Sequence, residues 1–270
     1  MDAALNHRTR PPALDAPRVA LLVLLCAAVV SLPALCGSGR TLDPWANLGR
    51  FLGRFWPPDF SILSQIAPAL WETFQIAVLA TVVSVGLALP VSVAASANLS
   101  PRPLVRAARF VLAAVRSIPS LIWALLAVAI TGANALAGVA ALALYSLGYL
   151  GKFFSDALES ADPGVAEALR LGGAGRIQVF QYGVWPQARA LCWSHVLWML
   201  EYNLRSAAII GYVGAGGIGV WLHTYQEFYQ WDRFAAVLCI ILVAVLVLDA
   251  AGSRLRKTLA PANERPADGL

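Results

Sequence analysis

Apolar and polar positions in this chain come in long blocks, not at the period of a strand or a soluble surface helix. Val19 to Cys36 is uncharged and long enough to approach a bilayer core of roughly 30 Å. Arg8, Arg10 and Arg18 precede it, as in a signal peptide, but Leu35 stands where a lipoprotein cleavage site needs a small residue. An uncleaved first helix is the reading. The next block, between Glu72 and Arg102, predicts a second span over about Thr73 to Ala97, bent at Pro90. Ser117 to Gly151 carries no charge and is too long for one crossing; Thr131-Gly132-Ala133-Asn134 predicts the break. A third span then runs from about Leu104 to Ile130, through Arg106, Arg109 and Arg116, and a fourth from about Ala135 to Gly151. The fifth, about Ala188 to Ile210, carries Glu201 and Arg205, and the sixth lies between Asp232 and Asp249. The pattern predicts an all-α membrane protein with six transmembrane helices.

Composition agrees. Of 270 residues, 59% are hydrophobic and 13% charged, and the mean hydropathy is +0.67; soluble domains carry roughly a quarter charged residues. This argues against a disordered chain, a secreted disulfide scaffold and a nucleic-acid-binding domain, and makes membrane lipid the surrounding medium. The net charge of +5 is therefore topology information. With the N-terminus in the cytoplasm, the cytoplasmic parts hold fourteen Lys and Arg. They lie at 8, 10 and 18, at 102, 106 and 109, at 152, 170, 176 and 189, and at 254, 256, 257 and 265. Arg40, Arg50, Arg54 and Arg233 lie outside, and Arg116 and Arg205 within spans. The bias puts both termini in the cytoplasm. The expected division is a tail over 1–18, a first helix over 19–36, an outer segment over 37–71, a core over 72–252 with a cytoplasmic loop at 152–187, and a tail over 253–270.

Within the outer segment, Trp45, Leu48, Phe51, Leu52 and Phe55 recur at helical spacing while Arg50 and Arg54 point elsewhere. An amphipathic surface helix over Pro44 to Trp56 fits, as does a loop packed on the bundle. Cys26, Cys36, Cys192 and Cys239 show no paired spacing, and His7, His195 and His223 are scattered, so neither redox chemistry nor a metal site is expected.

The cytoplasmic loop contains Asp162-Pro163-Gly164-Val165-Ala166-Glu167-Ala168-Leu169-Arg170-Leu171-Gly172-Gly173. Asp162 suits a helix N-cap, Pro163 the first helical position and the glycines the end, so a short capped helix is predicted. Glu167-Ala168, then Gly173-Ala174, then Val184-Trp185-Pro186 resemble the EAA loop of ABC-importer permeases. Leu169 stands for the second Ala and Trp185 for the Leu that precedes the Pro. Further segments resemble phosphonate-importer permeases, a family that also takes phosphate and phosphite. These are Phe55-Trp56-Pro57-Pro58-Asp59-Phe60-Ser61, Arg116-Ser117-Ile118-Pro119, Leu147-Gly148-Tyr149-Leu150-Gly151-Lys152, Glu201-Tyr202-Asn203-Leu204-Arg205-Ser206 and Val213-Gly214-Ala215-Gly216-Gly217-Ile218-Gly219. The resemblance implies a type I importer bundle in a bacterial inner membrane, with a short coupling helix. In it, Glu167, Ala168, Gly173, Ala174 and Pro186 serve coupling to an ATPase. It also implies a homodimer of permeases, two ATPase subunits that bind ATP and Mg, and a periplasmic or lipid-anchored binding protein that selects the anion. No cofactor is expected in this chain, and it is not expected to be an enzyme itself. Gly151-Lys152 lacks the rest of a phosphate-binding loop, with Ser146 and Phe153 at the positions that matter.

Gly214, Gly216, Gly217 and Gly219 fit GxGxxG literally, but the run follows a membrane span rather than a strand. A moving gate and a plain turn both fit the glycines. Charges inside spans are expensive and are candidates for function. Glu201 and Arg205 are four apart and share a helix face. Arg116 and Arg205 are the expected pathway cations for an oxyanion, with Ser117, Asn203 and Ser206 as neutral partners. An interhelical network that only fixes packing is the other reading. A methionine-type permease and an ion-driven secondary transporter are the alternatives for the whole chain; a docking helix for an ATPase argues against the second. No catalytic constellation supports an intramembrane enzyme.

Overall fold

The computed structural model describes residues 16–35 and 43–259. The N-terminal tail, residues 36–42 and the tail from 260 onward lie outside the described residues. Contacts divide the chain after Phe51. The first unit holds the apolar helix α1 (Ala16–Leu35) and most of α2 (Pro44–Gly53). Asp43 starts α2, its carboxylate accepting from the Trp45 and Ala46 amides at 3.1 and 3.3 Å.

The second unit is built on three long apolar helices: Phe60–Ala95, Ala135–Glu159 and Trp231–Leu255. The first of these contains α3 (Leu63–Ala95). Most of its buried positions are small (Ala69, Thr73, Ala77, Ala80, Thr81, Ser84, Ala88, Ser92 and Ala95), with Ile66 and Ile76 as the two large exceptions. Leu79, Val82, Val83 and Leu87 face outward. Small residues inside and large aliphatic ones outside is the arrangement lipid favours, because close backbone approach, not expulsion of water, holds such helices together. Thr73, Thr81 and Ser96 donate to the carbonyls of Ala69, Ala77 and Ser92, so these hydroxyls cost little in the apolar interior.

The predicted third span is two helices. α4 (Arg102–Ser117) and α5 (Ser120–Thr131) meet at 86°. Pro119 denies helical geometry to the residue before it, and Ile118 and Pro119 are both extended. Arg116, expected mid-span, stands at this elbow. The break at Thr131–Asn134 is where the sequence placed it, with Gly132 at φ +83° and the Asn134 side chain accepting from Ala137 N at 3.0 Å.

The central element, α6 (Ala135–Glu159), contacts α3, α4 and α5. It runs eight residues past its predicted end, through a Lys152–Asp156 pair one turn apart. α4 crosses it closely: a Cβ on Gly148 would sit 2.7 Å from Arg116 Cγ, and one on Gly151 would sit 2.5 Å from Leu112. Likewise α3 begins ten residues before the predicted Thr73, because Glu72 is accommodated half-buried within the helix. Glu159 closes the α3–α4 connection, accepting from Ala97 N and from Arg109 at 2.5 Å each.

The remaining helices are α7 (Pro163–Leu171), the single turn α8 (Arg176–Gln178), α9 (Trp185–Gly211), α10 (Gly219–Glu227) and α11 (Trp231–Leu259). A wide-turned segment, Val179–Val184, leads directly into α9. The long predicted loop is thus mostly helical. At the opposite end, Asp59 accepts from Ser61 N at 2.9 Å and from Arg233 Nε at 3.2 Å, fastening the residues just before α3 to α11.

Candidate functional site: coupling loop and polar membrane face

The short helix α7 is built as its residues dictate. Asp162 accepts from Gly164 N at 2.8 Å, and Pro163 occupies the first turn, where its missing N–H is no loss. The chain then turns on Gly173, whose φ of +86° suits only glycine comfortably. Gly172, Gly173 and Ala174 donate to the carbonyls of Ala168, Arg170 and Leu169. Ala166 and Leu169 pack down onto Gly183, and Gln187 at the start of α9 accepts from Asp162 N at 3.0 Å. The seat continues into a buried cluster with Leu150, Phe154 and Leu158 of α6 and Met199 of α9. On the open side stand Glu167 and Ala168, with Leu171 and Ile177 84% and 80% exposed. Beside them lies a cleft of about 710 Å³ between the α3–α4 turn and this loop, lined by Asn98, Leu99, Arg170, Arg176, Ile177 and Phe180. Pro186 lies exposed in the first turn of α9.

The six residues expected along the pathway fall into two groups. Asn203 is fully buried, donating to Thr81 Oγ1 at 3.0 Å and accepting from Ser146 Oγ at 2.9 Å, so it ties α9 to α3 and α6. Ser206 is buried on the same helix. Glu201 is buried with its carboxylate against Gly252 of α11, where any side chain would collide with it. Arg116, Ser117 and Arg205 are on the open face instead. Arg116 lies along Gly148 with its guanidinium 5.8 Å from the Tyr149 ring centre, within cation–π range, and Ser117 donates to Ala114 O at 2.7 Å.

On that face the two helices carry aromatic rings that sequence reasoning passed over. Tyr145, Tyr149 and Phe153 follow one another down α6 with ring centres 4.9 and 6.2 Å apart. Tyr202 stacks on Tyr145 at 5.3 Å, and their hydroxyls are 2.9 Å apart. Trp198 stacks on Tyr202, and His195 on Phe153. The signal was present: 145, 149 and 153 are one turn apart, and 195, 198, 202 and 205 repeat at three and four.

The glycine run is a packed turn on which three helices converge. Gly214, Gly216 and Gly217 have φ of +90°, +83° and +75°. Ile218 N donates to Thr73 Oγ1 at 2.7 Å, and a Cβ on Gly217 would sit 2.5 Å from that same oxygen. Gly216 lies against Ala135, and a Cβ on Gly138 would meet Ala215 O at 2.5 Å. No strand precedes the run, which follows α9 and leads into α10.

An all-helical bundle whose small residues point inward and whose α7 projects from one end is the architecture of a transport permease. The chain belongs to the family described as binding-protein-dependent transport system inner membrane component, whose model matches residues 86–260. It is 38% identical over 217 residues to the phosphite transport system permease protein PtxC of Stutzerimonas stutzeri, covering 80% of this chain and 79% of that one. It is 34% identical over 219 residues to the phosphate-import permease protein PhnE of Mycolicibacterium smegmatis, covering 81% of this chain and 41% of that one. Among solved structures, the inward-facing MetNI methionine ABC transporter superposes with a TM-score of 0.67 at 20% identity, over 75% of this chain and all of that one. That likeness shows the fold.

Proposed function

We propose that this chain is the permease subunit of an ATP-driven importer for phosphorus oxyanions such as phosphite, phosphate and phosphonates. It forms the translocation pathway and couples it to a separate ATPase. The observation that carries the reading is α7: a capped, glycine-terminated helix seated on the bundle by Ala166 and Leu169, with Glu167, Ala168 and Leu171 presented outward. An exposed leucine on a short helix, beside an open cleft, fits insertion into another protein. The names of the relatives supply the cargo class. In this reading Glu167, Ala168, Gly173, Ala174 and Pro186 transmit motion to the ATPase, which holds ATP and Mg itself. Two permease copies, two ATPase copies and a binding protein make the complex. The chain spans the membrane six times with both termini and α7 cytoplasmic, and the segments 37–71 and 211–232 meet the binding protein outside. Gly214, Gly216, Gly217 and Gly219 serve as a turn at that outer end, a reading supported by the tight fit there, where a side chain would meet Ala133, Ala135, Thr73 or Ala208 O.

The test is ATP hydrolysis and uptake by the complex reconstituted in lipid with its ATPase and binding protein, comparing phosphite, phosphate, aminoalkylphosphonates and methionine. Stimulation and uptake with a phosphorus oxyanion is the expected result. Stimulation by methionine alone overturns the cargo and keeps the machine. ATP-independent transport with no ATPase bound overturns the machine.

A further inference from the structure

We propose that Tyr145, Tyr149 and Tyr202 form a hydroxyl step in the anion path, placed between Arg116 and Arg205; this rests on the oxyanion reading above and assigns residues to it. The order along the bundle follows from helix direction. α6 and α9 run antiparallel, and the Tyr145–Tyr202 hydroxyl pair, 2.9 Å apart, fixes their relative level. Arg116 lies on Gly148 and Tyr149, one turn from Tyr145 toward the α7 end. Arg205 lies three residues past Tyr202 on α9, toward the glycine turn. The two guanidiniums therefore flank the hydroxyl pair, separated by about 10 Å along the axis at 1.5 Å per residue.

Three observations set this face apart from those that meet lipid. The outward residues of α3 (Leu79, Val82, Val83, Leu87) and of α11 (Leu242, Val243, Leu246, Val247) are aliphatic, as lipid requires. The face with Arg116, Arg205 and the tyrosines instead carries cations and hydroxyls, each costly against hydrocarbon. All three tyrosines are half-buried and Arg205 is exposed, so these polar atoms are not sealed in the bundle; Tyr202 donates to the Tyr145 hydroxyl and Arg116 Nε to Leu112 O, which leaves the Tyr145 proton and the rest of the Arg116 fork for a ligand.

The chemistry suits a tetrahedral oxyanion. Its several oxygens accept from a guanidinium and from a neutral O–H at once. A cation alone would hold the anion and slow its release. Neutral donors one turn away give it somewhere to go without adding charge. Tyr202 stacks on Trp198 and Tyr149 leans on Phe153, which keeps these rings in place with their hydroxyls already oriented.

Tyr145→Phe and Tyr202→Phe keep the rings and delete the donors. In proteoliposomes holding the complete complex, phosphite uptake by each should fall about fivefold to tenfold while phosphite-stimulated ATP hydrolysis and assembly persist. Wild-type uptake in both variants overturns the assignment. In a second measurement, Tyr149→Cys and Tyr202→Cys, in a chain cleared of its four cysteines, are exposed to a charged, membrane-impermeant methanethiosulfonate. Labelling that changes with ATP and phosphite-loaded binding protein is expected, with Val82→Cys unlabelled. A disulfide between two copies at 149 or 202, without labelling, makes the face a permease–permease seam and overturns the step. If wild-type complex takes up methionine and no phosphorus oxyanion, the cargo reading falls and this assignment falls with it; normal wild-type phosphite uptake with indifferent tyrosine variants sinks the tyrosine step alone.

Discussion

Arg205 and Asn203 stand two residues apart on α9 and meet different surroundings. Asn203 is spent on Thr81 and Ser146 inside the bundle, whereas Arg205 stays on the open face. Their substitutions should part accordingly. Asn203→Leu removes two interhelical hydrogen bonds of the kind worth about 0.6 kcal/mol each in membranes, so it should lower thermal stability modestly and uptake only in proportion. Arg205→Gln should leave assembly and thermal stability unchanged and cut uptake about tenfold, the scale of one charge-assisted contact of about 1.5 kcal/mol. Full uptake in an assembled Arg205→Gln complex would remove Arg205 from the pathway. Both residues were picked out from one sequence segment because polar residues in a span stand out. Which of them turns inward depends on the neighbouring helices, and a single helix does not contain that information. Asp59 is a residue-scale case at the end opposite α7. Its carboxyl is held below the usual carboxylate range, first by hydrogen bonds from Ser61 and then by Arg233. A depressed folded value means that its contribution to holding the start of α3 against α11 is complete above the ordinary value of 3.8 and is lost as pH falls through the lower, folded one. Proteolysis near Asp59 should therefore be flat from neutral pH down to about 5 and rise only in stronger acid, a rise that Asp59→Asn should abolish.

Elements were more legible than their limits. Caps and breakers with local chemistry appeared where expected: Asp162 and Pro163 at the start of α7, Gly173 after it, and Gly132 with Asn134 between α5 and α6. Charge was the weaker guide. Glu72 and Lys152 mark ends in the charge pattern, yet α3 and α6 run through them, because a helix need not stop where the apolar medium does. The elbow at Pro119 was hidden by unbroken hydropathy on its α5 side. The glycine turn gives an element-scale prediction. Gly217→Ala places a methyl group on Thr73 Oγ1 in a conformation that alanine disfavours, and should cost about 1–3 kcal/mol, read as a lower melting temperature in detergent. Gly173→Ala meets open space at a similar φ. It should cost about 1 kcal/mol locally, leave the melting temperature nearly unchanged and reduce ATP hydrolysis coupled to uptake. Equal effects of the two substitutions on melting and coupling would contradict this division.

At the scale of the molecule, α7 and the glycine turn lie at opposite ends of α6, whose 25 residues span about 37 Å. That is a bilayer's thickness, so the two ends should be reachable from opposite sides. A thiol introduced by Ala168→Cys should react with an impermeant reagent only in inside-out vesicles. One introduced by Glu227→Cys should react only in right-side-out vesicles. Labelling of both from one side would overturn the six-span arrangement.

The elbow between α4 and α5 has a mechanical consequence. Its bend is not a loose joint: Trp123 Nε1 of α5 reaches back to Val115 O of α4 at 3.3 Å, and Ser117 closes on Ala114 O. A right-angled piece braced across its corner behaves as a bell crank. α4 is anchored near the α7 end through Arg109 to Glu159 and to Ala95 O, so a push delivered there along α4 leaves the corner turned sideways. In the proposed importer, a stroke delivered there by the ATPase would be turned into lateral travel of α5, with an amplitude set by the lengths of the two arms.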